Sequence, residues 1–222
     1  MKSIHDNGFD KGRGFAMRIM IVYLLGILVL AWPGLSLSQE YLDEDEIEDV
    51  WTVHVSRYGK SMNDWSVIAS VNGKITYGDR LRIRIPLSTV ERCSVGNTIT
   101  TFYTTNIDTE EKVSFIRNKI LPAELNGKDM YVKVLFAIPF MKVHLAYIDM
   151  SWNKLENIKK YFDGVEEISL ILKDRNSVDG ITILNSDYFD IPSNSYSTRG
   201  LNSALDRAQA ECERLVNILK TI

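Results

Sequence analysis

Two cysteines and three histidines are all this 222-residue chain holds, and that scarcity closes off several chemistries. Zinc sites need three or four ligands in tetrahedral array. His5 falls in a leader segment described below, so only His54 and His144 remain, and neither has an acid or a second histidine at ligand spacing. No metal centre is expected, and both histidines read as surface or interface residues on the polar sides of strands. No Gly-x-Ser-x-Gly elbow marks a serine hydrolase. No Gly-rich loop opens a helix to cradle a phosphate, so no cofactor is expected. Paired carboxylates remain a formal route to hydrolysis, and Asp187, Asp190, Asp149 and Glu124 are candidates only as any acids are. Basic charge is not in excess either, with 26 Lys+Arg against 29 Asp+Glu, which argues against general nucleic-acid binding. No repeat, low-complexity tract or linker divides the chain.

What is present first is an address. Residues 17–38 read as a secretory signal: Arg18 supplies the positive start, residues 19–32 form an unbroken apolar run, and Ser36 and Ser38 place small residues at the cleavage site. The polar residues before Met17 carry both charge signs, unlike a signal's beginning, which leaves Met17 as an alternative start. Cleavage puts the mature start at Gln39. Crossing a bilayer takes about 20 apolar residues, and Pro33-Gly34 ends the run short of that, so an uncleaved anchor is the alternative rather than the expectation. No cysteine follows closely enough to be lipidated. The exported chain is expected to be soluble, periplasmic or secreted, with membrane contact limited to the signal before cleavage.

An oxidising compartment would join Cys93 to Cys212. A buried reduced pair is the alternative, while a reactive thiol lacks a nearby base. Closing a loop of more than a hundred residues stabilises the folded state by about 4 to 5 kcal/mol in the chain-entropy model, against a typical total margin of about 5 to 15 kcal/mol.

Residues 40–49 hold seven acids, and charge of one sign at this density predicts a flexible solvated segment. The body from residue 50 to 222 has 22 basic against 20 acidic residues and enough apolar content for one core. Its pattern has period two. Trp51, Val53 and Val55 share a face. Residues 66–71 and 74–77 read as a hairpin about Asn72-Gly73, a dipeptide suited to tight turns. Leu81, Ile83 and Ile85 alternate with Arg80, Arg82 and Arg84, and Pro86 ends the strand. Residues 98–105 are β-branched and aromatic, and residues 112–117 follow an acidic turn at 108–111. Met130, Val132, Val134, Phe136 and Ile138 align, as do Met141, Val143, Leu145 and Tyr147. Ser151 can cap a short helix through Phe162, closed by Gly164. Ile168, Leu170 and Leu172 alternate again, and residues 181–184 and 188–191 are shorter strand candidates. Ser197 or Thr198 opens a last helix whose stripe is Leu201, Ala204, Leu205, Ala208, Cys212, Leu215, Val216 and Leu219. The expected fold is mainly β: a single-domain antiparallel β-sandwich of eight or nine strands, with a short middle helix and a packed C-terminal helix stapled through Cys212.

Two features suit partner binding. Arg80, Arg82 and Arg84, with Arg92 nearby, could grip a phosphate, a carboxylate or an acidic partner, or be clasped by the chain's own acidic residues 40–49. Their bland reading is a solvated strand face. The aromatic approach to the last helix, with Tyr188, Phe189 and Tyr196, suits a recognition loop. Its alternative is aromatics tucking the helix onto the sheet.

Trp51 opening the first strand, residues 87–93 before a Thr/Tyr-rich strand, residues 113–117, Phe189-Asp190, Gly200-Leu201, Ala204 and Cys212 occur in an order that resembles small exported bacterial envelope proteins. These are the type VI secretion-associated VasI-like family and, more distantly, the invasion-associated locus B-like family. The resemblance implies a disulfide-tied β fold acting as a periplasmic accessory or a secreted host-contact factor. Together these readings point to a non-enzymatic exported binding or accessory protein whose partner is a protein in the envelope or on a host. A glycan or peptide hydrolase of the envelope is the alternative.

Overall fold

Alternating side chains build the first wall of the core. The computed structural model describes residues 44–47, 50–57, 64–76, 78–178 and 181–220; the signal expected at 17–38, Gln39, the rest of the acidic run and Tyr77 lie outside them. Strands β2 (Trp51–Arg57), β3 (Trp65–Asn72) and β4 (Arg80–Pro86) pair antiparallel. Trp51, Val53 and Val55 lie in register with Val71, Ala69 and Val67, which in turn oppose Leu81, Ile83 and Ile85. All nine are buried. Because strand side chains alternate, the opposite face receives Thr52, His54, Ser66, Ile68, Ser70 and the three arginines.

β5 (Val95–Thr104), β8 (Val143–Lys154), β7 (Lys128–Phe140), β6 (Ile120–Leu125), β9 (Glu167–Leu172) and β12 (Ser193–Ser197) extend this wall. With β1 (Glu44–Ile47) they form one antiparallel sheet ordered β1-β2-β3-β4-β5-β8-β7-β6-β9-β12. β6, β7 and β8 follow one another as neighbours, and β8 returns beside β5 in Greek-key fashion. β10 (Arg175–Val178) and β11 (Ile181–Ile183) make a separate ribbon.

Twist accumulates across so many strands and curls the sheet onto itself. The Trp51 indole N–H donates to the Ser197 carbonyl at 3.0 Å, and the Thr100 and Tyr196 hydroxyls meet at 2.5 Å. The Lys74 amide donates to the Ser195 carbonyl at 2.9 Å. The two halves of the sheet therefore face one another across a single core, sandwich fashion, as the alternation implied.

Among the described residues three α-helices complete the fold: α1 (Glu110–Ile116), α2 (Leu155–Tyr161) and α3 (Leu201–Leu219). α3 buries Leu201, Ala204, Leu205, Ala208, Cys212 and Val216 and packs against β2, β3 and β4. Cys212 bonds Cys93, with Cα atoms 5.6 Å apart, tying α3 to the short 3-10 turn after β4.

Several expectations change. Within the acidic segment expected to be flexible, Glu44–Ile47 form the edge strand β1, with Glu44 opposite His54 and Ile47 opposite Trp51. Consecutive acids suit an edge, where charge discourages a further strand from adding. The acidic turn is instead the first turn of α1: Thr109 caps it by accepting from the Lys112 amide at 3.2 Å, and Glu110 and Glu111 sit at its positive end. Residues 112–117 are thus largely helical. Residues 74–76 do not pair back on β3, because the Lys74 and Ile75 amides are taken by β12, and Tyr77, the end of the expected hairpin at 74–77, lies outside the described residues. β8 runs on through Lys154, so α2 starts at Leu155 rather than after a Ser151 cap. α3 runs over the span expected, from about Gly200 to Lys220, but its N-cap is Gly200 at φ +80°, a backbone that glycine adopts without strain, rather than Ser197 or Thr198. Residues 188–191 form no strand; the edge strand is the Ser/Asn-rich β12.

Candidate functional site

The arginine stripe keeps its place. Arg80, Arg82 and Arg84 are half-buried on the outer face of β4, each held by a neighbour. Arg80 Nε donates to Asn72 Oδ1 at 3.0 Å, an Arg82 terminal nitrogen to Thr101 Oγ1 at 3.2 Å, and Arg84 Nε to Ser66 Oγ at 2.7 Å. The Arg82 guanidinium also lies 5.8 Å from the Tyr147 ring centroid, within cation–π range. His54, two strands away, is only 2% exposed rather than a surface group. Burial, then the charges of Arg80 and Arg82, press its pKa down to about 4, so it is neutral at physiological pH. Glu44 and Glu46 occupy the cross-strand rows that lead through His54 to Arg84 and through Thr52 to Arg82.

The same face carries an apolar strip that the alternation missed. β7 pairs with β8 in one register up to Val134 and in another from Phe136, a bulge that turns Phe136 and Ile138 outward and puts Ala137 in the core. Phe136 packs on Tyr147 with centroids 4.7 Å apart, and Phe140 meets Tyr103 edge-on at 5.6 Å. Phe136 and Phe140 remain 37% and 42% exposed, and Met141 in the following turn 92%. Tyr147 adjoins both Arg82 and Phe136, so the arginines and the strip are continuous.

The other expected contact residues are not gathered there. Arg92 is exposed on the 3-10 turn that packs against α3. Phe189 and Tyr196 are core residues, at 1% and 0% exposure, and no recognition loop forms from them. Phe189 meets Phe102 edge-on, and burial holds the Tyr196 hydroxyl, bonded to Thr100, well above its ordinary pKa. Tyr188 stacks on Phe115 of α1 at 5.9 Å.

The acids do not converge as a hydrolytic pair. Lys173 bridges Glu124 at 2.8 Å and Asp129 at 2.7 Å. Burial works against ionisation of Asp190, but donors from Thr105, Thr104 and Asn106 outweigh it and hold the carboxyl below its usual pKa. That residue is an anchor between β5 and the final turn. Burial raises Asp149, against the opposing charge of Lys133. Among the described residues no group of His, Cys, Asp and Glu is placed to hold a metal ion, and no helix is long and apolar enough to cross a membrane.

Two further features left no trace in the sequence. Asp79, 1% exposed, accepts from the Tyr103 amide and from Asn194 Nδ2, each at 2.7 Å. Burial lifts its pKa to about 6 although both hydrogen bonds oppose the rise. It latches the β3–β4 loop to β5 and β12. The second feature is a cleft of about 390 Å³ where α2 lies over the ends of β7 and β8, floored by Leu125, Met130, Met150, Ile158 and Phe162.

Compared with known proteins, the chain matches no family model, no curated protein and no solved structure.

Proposed function

We propose that this chain is an exported binding or accessory protein, non-enzymatic, that meets a protein partner through the outer face of β4, β5, β8 and β7. One observation carries the reading: guanidinium groups anchored by Asn72, Thr101 and Ser66 run directly into an exposed strip of Phe136, Ile138, Phe140 and Met141. Arginine and aromatic groups combined, with the arginines already ordered, are the composition of interface hot spots. The partner surface this face fits is acidic beside an apolar pocket. The signal-like residues 17–38 and the disulfide support placement outside the cytoplasm, periplasmic or secreted. The resemblance to exported envelope accessory families points the same way.

The test replaces Arg82 and Arg84 with Glu together, and separately Phe140 with Ser. Each should abolish capture of a partner from envelope extract that the parent protein retains, while the melting temperature stays within a few degrees. Capture unchanged by both variants would remove this face from the account.

A further inference from the structure

We infer that the cleft beside α2 is a binding site for the alkyl chain of a single-chain amphiphile whose zwitterionic head rests at the rim. This goes beyond the protein-contact reading, since the cleft opens at the α2 end rather than onto the arginine face.

The floor comes from four elements that the fold has no need to leave apart. Met130 of β7 and Met150 of β8 project inward, Ile158 comes down from α2, and Leu125 and Phe162 close the sides. A volume of about 390 Å³ falls within the range of small-ligand sites, roughly 300 to 1,000 Å³, and the lining is dominated by apolar groups, as in such sites. Methionines are unbranched and adaptable, which suits a flexible chain better than a rigid ring. A purely apolar ligand would be insensitive to the rim, but the rim here bears both charges. Lys128 and Asp129 are consecutive on β7 and both border the mouth. Lys128 lies 4.9 Å over the Tyr161 ring, and Asp129 is paired with Lys173 at 2.7 Å. Glu124 shares that lysine, so the rim's charges balance and favour neither a net cation nor a net anion. A phosphate near Lys128 and an ammonium near Asp129 meet both charges. Asn157, exposed on α2, adds an amide at the same edge.

Alkylphosphocholines of eight to twelve carbons, each kept below its micellar concentration, are titrated into the disulfide-bonded full chain by calorimetry. Affinity should rise about fourfold per added methylene until the cleft is full. Met130→Trp, at a half-buried position that can take the larger ring, should weaken the longest chain at least tenfold. The apolar segment 19–32 is common to parent and variant, so their difference reports the cleft, and Asn157→Trp, at an exposed position on the rim, is a second variant that should weaken the longest chain in the same way if Met130→Trp fails to fold. Decanoate and decyltrimethylammonium should each bind several-fold more weakly than the decylphosphocholine. Equal affinity across chain lengths, or binding by the folded Met130→Trp or Asn157→Trp variant identical to the parent's, would overturn the proposal. Charged-head probes binding as well as the zwitterion would overturn the head-group assignment.

Discussion

The arginine-bearing strand β4 and the aromatic segment at 188–196 look equally suited to partner contact as sequence, yet they end on opposite sides of the wall. On β4, alternation assigns each residue to a face: Leu81, Ile83 and Ile85 are buried in the core, so the intervening arginines lie, half-buried, on the opposite face. In the 188–196 segment no period sets a face. Phe189 and Tyr196 go inside, where Phe189 meets Phe102 edge-on and Tyr196 finds Thr100 for its hydroxyl. Periodicity reports orientation, while aromatic content alone reports only that something large will be buried or used.

Substitutions should separate the two regions sharply. The largest effect is expected at Phe189→Ala, which should lower stability by about 3 to 5 kcal/mol in urea titration, because a ring fully inside leaves a cavity. Arg84→Ala should cost less, about 1 to 2 kcal/mol in the same assay, because it removes the hydrogen bond to buried Ser66 but opens no core cavity. Similar losses for the two would erase the contrast.

Removing the staple is next. Cys93→Ala with Cys212→Ala should cost about 2 to 5 kcal/mol, since the bond closes a sequence separation of 119 residues. A doubly substituted protein that melts with the parent would mean that α3 docks without it.

The buried ionisable groups sharpen the comparison through pH. The pKa of Asp79 is raised in the folded state, so its contribution is fullest below about 4 and is lost as pH rises through about 6. The pKa of His54 is lowered, so its contribution is present above 6.5 and is lost as pH falls toward about 4. Each is worth on the order of 2 to 3 kcal/mol, and they oppose one another across pH 4 to 6. Parent stability should be nearly level there, whereas His54→Gln should expose a decline as pH rises. A His54→Gln profile that climbs instead would show that Asp79 is not the buried carboxyl described.

The smallest structural effect is expected at Tyr188→Phe. Its ring stacks on Phe115, and the change should move the midpoint by well under about 1 kcal/mol. A loss as large as that at Phe189 would put Tyr188 in the core as well.

Much of the fold was legible for the reason that β4 was. Strands β2, β4 and β9, the α3 stripe and the Cys93–Cys212 bond all follow from side-chain period and compartment. What escaped depends on backbone detail or on distant partners. The bulge after Val134 reverses two side chains with no local marker, hiding the Phe136 and Ile138 strip inside an apparently clean alternation. β12 is Ser/Asn-rich and becomes a strand only because β9 and the Lys74 and Ile75 amides supply its hydrogen bonds. Gly73 looked like half of a tight turn, whereas a Cβ there would come within 2.4 Å of the Asn194 side chain, so its role is close approach. The cleft joins residues from four elements and has no linear signature.

Site-specific photocrosslinking in the intact protein most directly tests which region meets a partner. A reactive residue at Met141 should give a discrete adduct that disappears when Arg82 and Arg84 are changed to Glu, while the same residue at Tyr188 should give none. An adduct from Tyr188, or one from Met141 indifferent to the arginines, would contradict the assignment of contact to the outer face of the sheet.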